Sequence, residues 1–354
     1  MKMNMNKQER EEWKKQLSDR TEREVLRVRD TGKMKDYLNT VSNFEKYSLK
    51  NIELIYAQNP NATMLAGYNQ WRRDYGRHVK KGAKAIHIVA PIKKKLTKKE
   101  KADLQTNQDY KVVGYRYVPV FDIKQTSGND IEKPRFEANN KNFTKLYKNM
   151  KNYIGKNTDW RVLEKELPNN MASDCDWNNK TININSKLPT SAKKLERLYH
   201  DYAGIQLSSG DNHQEDTVKE LQSEAVAYVA MKSNGLEVDS DKLGYATRWI
   251  KDNKTLHSAL EGIYAVARKT VDMTDKVKLE MDMERTMEKS KNKAEQEVKI
   301  EPMDVTKQIK DQANVEKPYT LTSKYKSVID FNEKTEKLER TMLPITQNSE
   351  ELDR

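Results

Sequence analysis

The segment LYHDYAGIQL, residues 198–207, carries residue types from which a metal site could be built. Two histidines four positions apart lie on one face of a helix and can bind one zinc ion, and an acidic residue directly after the first histidine serves as the general base. His200 and Asp201 occupy the first two positions, but Gly204 stands where the second imidazole is needed. The pattern therefore supports metal-dependent hydrolysis only if another residue replaces the missing ligand.

The next helical segment, TVKELQSEAVAYVAMKSNG, contributes two glutamates with different interpretations. Thr217 and Glu220 form the T-x-x-E pattern of a capping box, which accounts for Glu220 structurally. Glu224 lies on the most apolar turn, where a buried carboxylate is costly unless a metal or a donor meets it. His213, in the polar loop before this helix, is the nearby imidazole that could replace the missing ligand, whereas most such loops are simply solvated.

A second group of residues, in WRRDYGRHVKKGAK at 71–84, has the composition of a nucleic-acid-binding surface. Single strands are held by a basic groove along the phosphates and by aromatic faces for the bases. The alternative is a core tryptophan with a solvated cationic rim, and Trp71 taken alone favours the core. The lysine run 93–101 could also contact phosphates, although such runs are commonly surface loops. The candidate DNA-contacting residues are Trp71, Arg72, Arg73, Tyr75, Arg77, Lys80, Lys81, Lys84, Tyr115, Arg116 and Tyr117.

Basic residues are concentrated in the first third of the chain. Residues 1–130 hold 28 Lys and Arg against 16 Asp and Glu, a net charge of +12. Residues 131–270 hold 22 against 19, and residues 271–354 hold 16 against 19. A polyanion is therefore expected to contact the N-terminal part.

Composition limits the remaining possibilities. The length of 354 residues fits about two domains of roughly 150 residues each. Cys175 is the only cysteine, which excludes an internal disulfide and a thiolate zinc site. The N-terminus lacks the apolar core of a secretory signal, and no stretch approaches the roughly 20 apolar residues of a membrane span, so a cytoplasmic protein without a membrane partner is expected.

Apolar periodicity predicts an α+β fold. Residues 8–58 are predicted to be mostly helical, with a break near Ser48 and Asn51. A short strand and a short helix ending at Gly76 follow, and then two strands, 84–92 and 110–123, separated by a polar loop. The second half is predicted to contain helices at 141–154, from 189–191 through His200, and from Thr217 to before Gly235, a strand at 181–184, and shorter helices at 241–252 and 254–271. The predicted organisation is a basic DNA-binding domain at 1–127, a linker at 128–140, a mostly helical domain with a small sheet at 141–272, and a charged, partly disordered tail at 273–354.

These segments resemble a known family. A strand like TININ, placed at a sheet edge, a helix with H-[ED], and a later helix with E-x-x-x-E-A-x-A-Y resemble the ImmA/IrrE-like zincins, in particular the C-terminal domain of ArdC-type antirestriction proteins and LtrC-like plasmid proteins. The N-terminal half, from YSLKNIELIYAQNP through GRHVKKGAK to VFDIKQT, resembles the ArdC N-terminal domain. The resemblance implies single-stranded DNA binding by that domain. It also matches His200 to the first zinc ligand, Asp201 to the base and Glu224 to the third ligand, whereas Gly204 matches no ligand.

The expected protein is an inactive zincin joined to a DNA-binding domain. Catalytic zinc usually needs three protein ligands and an open position for water, and aspartate carries one methylene less than the glutamate base that it replaces. No catalytic residue, metal or other cofactor is therefore expected, with His200, Asp201 and Glu224 left as a vestigial hydrogen-bonded cluster. The expected function is protection of a mobile element's incoming DNA by occupancy, in antirestriction or conjugation. Two alternatives remain open: an active zinc peptidase that cleaves a regulatory or host protein, and a non-catalytic module that holds a protein or peptide in the zincin cleft.

Overall fold

The computed structural model describes residues 5–30, 32–131, 139–168, 171–208, 215–236, 238, 243 and 250–298. Within these ranges the fold is α+β, as predicted. No helix among the described residues combines the length and the apolar composition that crossing a bilayer requires.

The first half combines helices with a small antiparallel sheet. Strand order in that sheet is β1-β4-β3, and a second pair, β2 and β5, lies beside it. The predicted strands at 84–92 and 110–123, and the short strand and helix before them, are confirmed. The elements are α1 (Lys7–Leu26), α2 (Lys33–Phe44), α3 (Leu49–Gln58), β1 (Leu65–Gly67), α4 (Tyr68–Tyr75), β2 (Arg77–Val79), β3 (Ile86–Lys95), α5 (Lys98–Asp103), β4 (Tyr110–Asp122) and β5 (Thr126–Gly128).

Local signals account for several of these boundaries. Ser48 is the N-cap of α3, which confirms the predicted break. Gly76 ends α4 with a left-handed φ of 62°, a conformation that glycine adopts without steric cost. The segment between β3 and β4 is not simply a loop, because a capping box between Thr97 and Glu100 starts α5. The prediction of a polar loop missed this T-x-x-E pattern.

The second half is mostly helical around a three-stranded sheet. Strand order is β6-β8-β7, so the predicted edge strand at 181–184 is in fact central. All five residues of β8 are buried, so both faces of the sheet are covered along this strand. The elements are α6 (Asn140–Asn157), β6 (Arg161–Lys165), β7 (Ser173–Asp176), β8 (Thr181–Asn185), α7 (Ser191–Ser208), α8 (Asp216–Ser233) and α9 (Asn253–Val298).

The last helix is longer than the sequence pattern predicted. The predicted helix at 254–271 is the first part of α9, while the one at 241–252 falls largely outside the described residues. Met273, Val277 and Met281 are buried at four-residue spacing, so the apolar stripe of α9 continues past the predicted end of the domain at 272.

One hydrophobic core contains residues from both halves of the chain. Residues up to Arg285 cluster as one compact unit, and those from Thr286 form a second. Ile86 and Val120 of the first sheet belong to the same buried cluster as Leu221 of α8 and Leu260 of α9. The Tyr228 hydroxyl of α8 also donates to Asn39 of α2 at 2.9 Å. The first half of the chain thus packs against α8 and α9. The proposed linker at 128–140 stays a prediction.

Glu53, on α3, makes the stability of this core depend on pH. Burial raises the pKa of Glu53, and together with the charges of Glu22 and Glu261, and against the opposing effects of His257 and Lys50, it brings this pKa to about 7. Because the folded state binds this proton more tightly than the unfolded chain, the contribution to stability is complete below about pH 4.5 and is lost as the pH rises to about 7.

We expect Glu53→Gln to stabilise the protein at pH 8 by about 1–2 kcal/mol and to leave its stability at pH 4 nearly unchanged. Urea unfolding at the two pH values measures the difference. Glu12→Gln, at an exposed position of α1, is the control and should change neither value. An equal gain at both pH values would mean that the effect does not come from the proton on Glu53.

Candidate functional site

His200 lies in a cluster of acidic side chains between α7 and α8. Its Nδ1 is 3.0 Å from Asp201 Oδ1, and its Nε2 is 3.1 Å from Glu220 Oε1. Glu224 Oε2 is 3.7 Å from the same Nε2. Burial lowers the pKa of His200, but the hydrogen bonds to Asp201 and Glu220 raise it more, to about 9. The ring is therefore an imidazolium at neutral pH, and both of its nitrogens face carboxylates.

Glu220 was assigned to the wrong structural role by its sequence pattern. The N-cap of α8 is Glu215, without a side-chain cap bond, and Thr217 lies inside the helix. The T-x-x-E pattern therefore makes no capping box here. Glu220 and Glu224 are instead one turn apart on the face of α8 that meets His200.

Arg197, which the sequence analysis did not single out, neutralises part of this acidic cluster. It lies three positions before His200, on the same face of α7. Its Nη2 donates to Glu224 Oε2 at 2.7 Å, and the two side chains are only 14% and 17% exposed. In the sequence, the position of Arg197 beside the apolar residues of LERLYH could have indicated this role. Glu224 is thus met by a guanidinium.

The cluster does not fit the catalytic zinc site that the zincin resemblance implies. A Cβ at Gly204 would lie 3.3 Å from Ser223 Oγ, so that hydroxyl would have to give by a few tenths of an ångström to admit a side chain at this position. Arg197 donates to Oε2 of Glu224, the oxygen that lies 3.7 Å from His200 Nε2. Over the described ranges, no group of three or more His, Cys, Asp or Glu residues is arranged to hold a metal ion. His213, the proposed substitute ligand, lies outside the described residues.

Asp201, at the position of the general base, is held on one side only. Its Oδ1 contacts the imidazole of His200. Its Oδ2 is buried and has no hydrogen-bond partner among the residues described. In the zinc site that the resemblance implies, the base carboxylate would face a metal-bound water. Here Asp201 contacts the protonated imidazole of His200 instead.

Two of the predicted DNA-contacting residues are interior residues of the first half. Trp71 is fully buried and donates from Nε1 to the Phe121 carbonyl at 2.9 Å. The Tyr75 ring lies against it with the ring centroids 5.1 Å apart. Arg77 is only 8% exposed, and its guanidinium donates to the carbonyls of Thr126, Gly128 and Asn129 and to the Thr126 hydroxyl. Trp71 and Arg77 are therefore not at the surface; their hydrogen bonds connect the segment 71–84 to β4 and β5.

The remaining cations of this stretch are at the surface. Arg73 pairs with Asp74 at 2.7 Å, and Lys80 Nζ donates to the Lys124 carbonyl at 3.2 Å. The exposed Arg and Lys residues of the segment 71–84, which we call the basic patch, are Arg72, Arg73, Lys80, Lys81 and Lys84.

The predicted residues of β4 differ in exposure. Tyr115 is 57% exposed and Arg116 is also at the surface. Tyr117 is half-buried, because Trp13 of α1 packs edge-on against it with the centroids 5.4 Å apart. Of the two tyrosines, Tyr115 is therefore the more exposed.

This chain is similar to a known protein domain and to a protein of unknown function. Residues 7–121 match the family model for the N-terminal domain of anti-restriction factor ArdC. An uncharacterized protein of Bacillus anthracis is 24% identical over 331 residues, and the match covers 82% of this chain but only 56% of that protein.

Two crystal structures of the antirestriction protein ArdC from plasmid R388 are also similar. The metal-free form has a TM-score of 0.40 and 17% identity, covering 64% of this chain and 83% of that one. The Mn(II)-bound form has a TM-score of 0.45 and 14% identity, covering 74% and 97% respectively. Residues 7–121 are therefore similar to the N-terminal domain of anti-restriction factor ArdC, and this match covers about a third of the chain.

Proposed function

We propose that this chain is an antirestriction protein that binds single-stranded DNA and protects it by occupancy. The observation that carries the proposal is the position of the exposed cations. The ArdC N-terminal domain contains the basic patch, and residues 1–130 carry a net charge of +12. Cationic side chains along a strand release its condensed counterions, which is the main source of affinity for DNA without sequence preference.

In this proposal the His200 cluster does not hydrolyse peptides. The geometry that supports this is the Arg197–Glu224 pair, together with the close approach of Gly204 to Ser223. The Arg197 guanidinium places a positive charge beside Glu224. Unlike a catalytic metal ion, it has no open coordination position at which a water molecule could bind. The second half then serves as a structural partner of the DNA-binding half through the core that the two share.

The salt dependence of DNA binding tests the role of the basic patch. Affinity of the full chain for a fluorescent single strand should fall linearly with salt in a log–log plot. Because each phosphate contact contributes about 0.7 to that slope for single strands, Arg72→Ala, Lys80→Ala and Lys81→Ala combined should flatten it by about 2.

The control for this experiment removes the same charge elsewhere. Lys141, Lys148 and Lys156 are exposed residues of α6, and their combined replacement by alanine should leave the slope nearly unchanged. If both triple variants flatten the slope equally, the basic patch is not the contact surface. Absence of any single-strand binding at low salt would refute the proposed function itself.

A further inference from the structure

Strands β3 and β4 extend into a ribbon whose far end carries exposed aromatic and basic side chains. Lys93 pairs with Val112, Lys94 with Lys111 and Lys95 with Tyr110. Tyr110 is 47% exposed and Tyr115 is 57% exposed. We call residues 91–95 and 110–116 the ribbon tip.

One face of the ribbon tip is occupied by α5. Glu100 Oε1 lies 2.9 Å from Lys111 Nζ and 3.5 Å from Lys94 Nζ, and these two lysines are cross-strand partners. A backbone hydrogen bond from Thr97 and the contact with Lys111 lower the pKa of Glu100 to about 2. The acidic group on this face is thus neutralised by the ribbon's own lysines.

The opposite face carries a row of tyrosines with lysines beside them. Successive side chains of a strand point to opposite faces, and the pairing of Tyr115 with Pro91 and of Tyr110 with Lys95 places both rings on the same face. Lys93 and Lys95 are exposed on that face. The β3 residues of the two pairs, Pro91 and Lys95, are four positions apart, so the rings are about 13 Å apart along the ribbon.

The tyrosine row continues inward to a covered position. Tyr117 follows Tyr115 on the same face, and there Trp13 packs against it and against His87. The inner ring is therefore fixed by α1, while the outer two are exposed. Exposed tyrosines contribute nothing to a core.

Resting on the proposed function, we infer that the tyrosine face of the ribbon tip is the site where bases of the single strand stack. Base–aromatic stacking is tolerant of sequence because every base has a π-face. Lys93 and Lys95 would lie beside the phosphates. The charge of the tip favours a nucleic acid over a protein partner, because its neighbouring acids, Glu100 and Asp109, are both paired with lysines.

The experiment compares two double variants of the full chain. Tyr110→Ala with Tyr115→Ala should weaken binding to fluorescent oligo-dT by about tenfold or more, with an unchanged salt slope because no charge is lost. Tyr110→Phe with Tyr115→Phe keeps both rings and should bind like the wild type. Thermal unfolding should be the same for all three proteins, since both side chains are exposed.

Binding to a duplex of matched length separates stacking from a general loss of affinity. Paired bases offer no free faces, so the alanine variant should bind duplex DNA as the wild type does. Oligo-dT affinity unchanged in the alanine variant would overturn the stacking site while leaving the proposed function intact. An equal loss in the phenylalanine variant, or on duplex DNA, would overturn it as well. A wild-type chain that does not bind oligo-dT refutes the proposed function and this inference together.

Discussion

Arg77→Ala should lower the free energy of unfolding by about 3 kcal/mol or more. The guanidinium of Arg77 is buried and donates to three carbonyls and one hydroxyl around β5. Alanine would remove the donors of these four hydrogen bonds, and each buried group left unsatisfied costs about 1–3 kcal/mol. The loss should concentrate at the pairing of β2 with β5, which runs from Val79 opposite Thr126 to Arg77 opposite Gly128.

Urea unfolding followed by circular dichroism measures this change. Arg77→Lys should restore little of the stability, because an ammonium cannot reproduce the planar five-donor geometry of a guanidinium. Arg72→Ala, at an exposed position of α4, is the matched control and should change stability by less than about 0.5 kcal/mol. A stability loss no larger for Arg77→Ala than for Arg72→Ala would show that the buried contacts of Arg77 are unimportant.

The burial of Arg77 makes this residue unsuitable for variants that test DNA binding. In the sequence, Arg77 is one of several cations in WRRDYGRHVKKGAK, and nothing in the spacing separates it from its neighbours. In the fold it crosses to β5, some fifty residues later in the chain. Loss of DNA affinity in an Arg77 variant would therefore report damaged structure, whereas Arg72, Lys80 and Lys81 report the surface.

Features that depend on local chemistry could be predicted from the sequence. The alternation of β-branched and aromatic residues was sufficient for β3 and β4, and the left-handed Gly76 correctly marked the end of α4. The apolar stripe of residues 34–56 correctly indicated α2 and α3. In each of these elements the deciding interactions lie within a few residues along the chain.

Features that depend on contacts between distant elements could not be predicted in this way. Glu220 looked like a capping residue because the T-x-x-E pattern carries no information about His200, twenty positions earlier. The burial of Trp71 depends on a carbonyl of β4, fifty residues away. The central position of β8 depends on β6 and β7, whose short strands have little apolar alternation. For Gly204, the sequence revealed a missing ligand, but only the packing of α7 on α8 explains why a side chain is disfavoured there.

Arg197→Ala should destabilise the chain by about 2–4 kcal/mol at neutral pH, because it removes the cation from a nearly buried ion pair. His200 would then remain as a cation beside the carboxylates of Glu224, Glu220 and Asp201. Lys193→Ala is the matched control on α7: it breaks the pair with Glu196, in which the lysine is half exposed, and should cost less than about 1 kcal/mol. Urea unfolding of both variants measures the difference.

Divalent metal should distinguish the Arg197 variant from the wild type. With the guanidinium gone, the side chains of His200, Glu220 and Glu224 can reorient to offer one imidazole and two carboxylates, donor types that suit Mn²⁺ or Zn²⁺. A ligand that binds only the folded state raises the unfolding temperature, so added Mn²⁺ should raise it in Arg197→Ala and leave the wild type unchanged. If instead the wild type is stabilised by Mn²⁺ and holds one ion per chain, the guanidinium does not exclude metal from this site. The peptidase alternative would then regain its basis, because a cluster that binds metal beside Arg197 could also activate water.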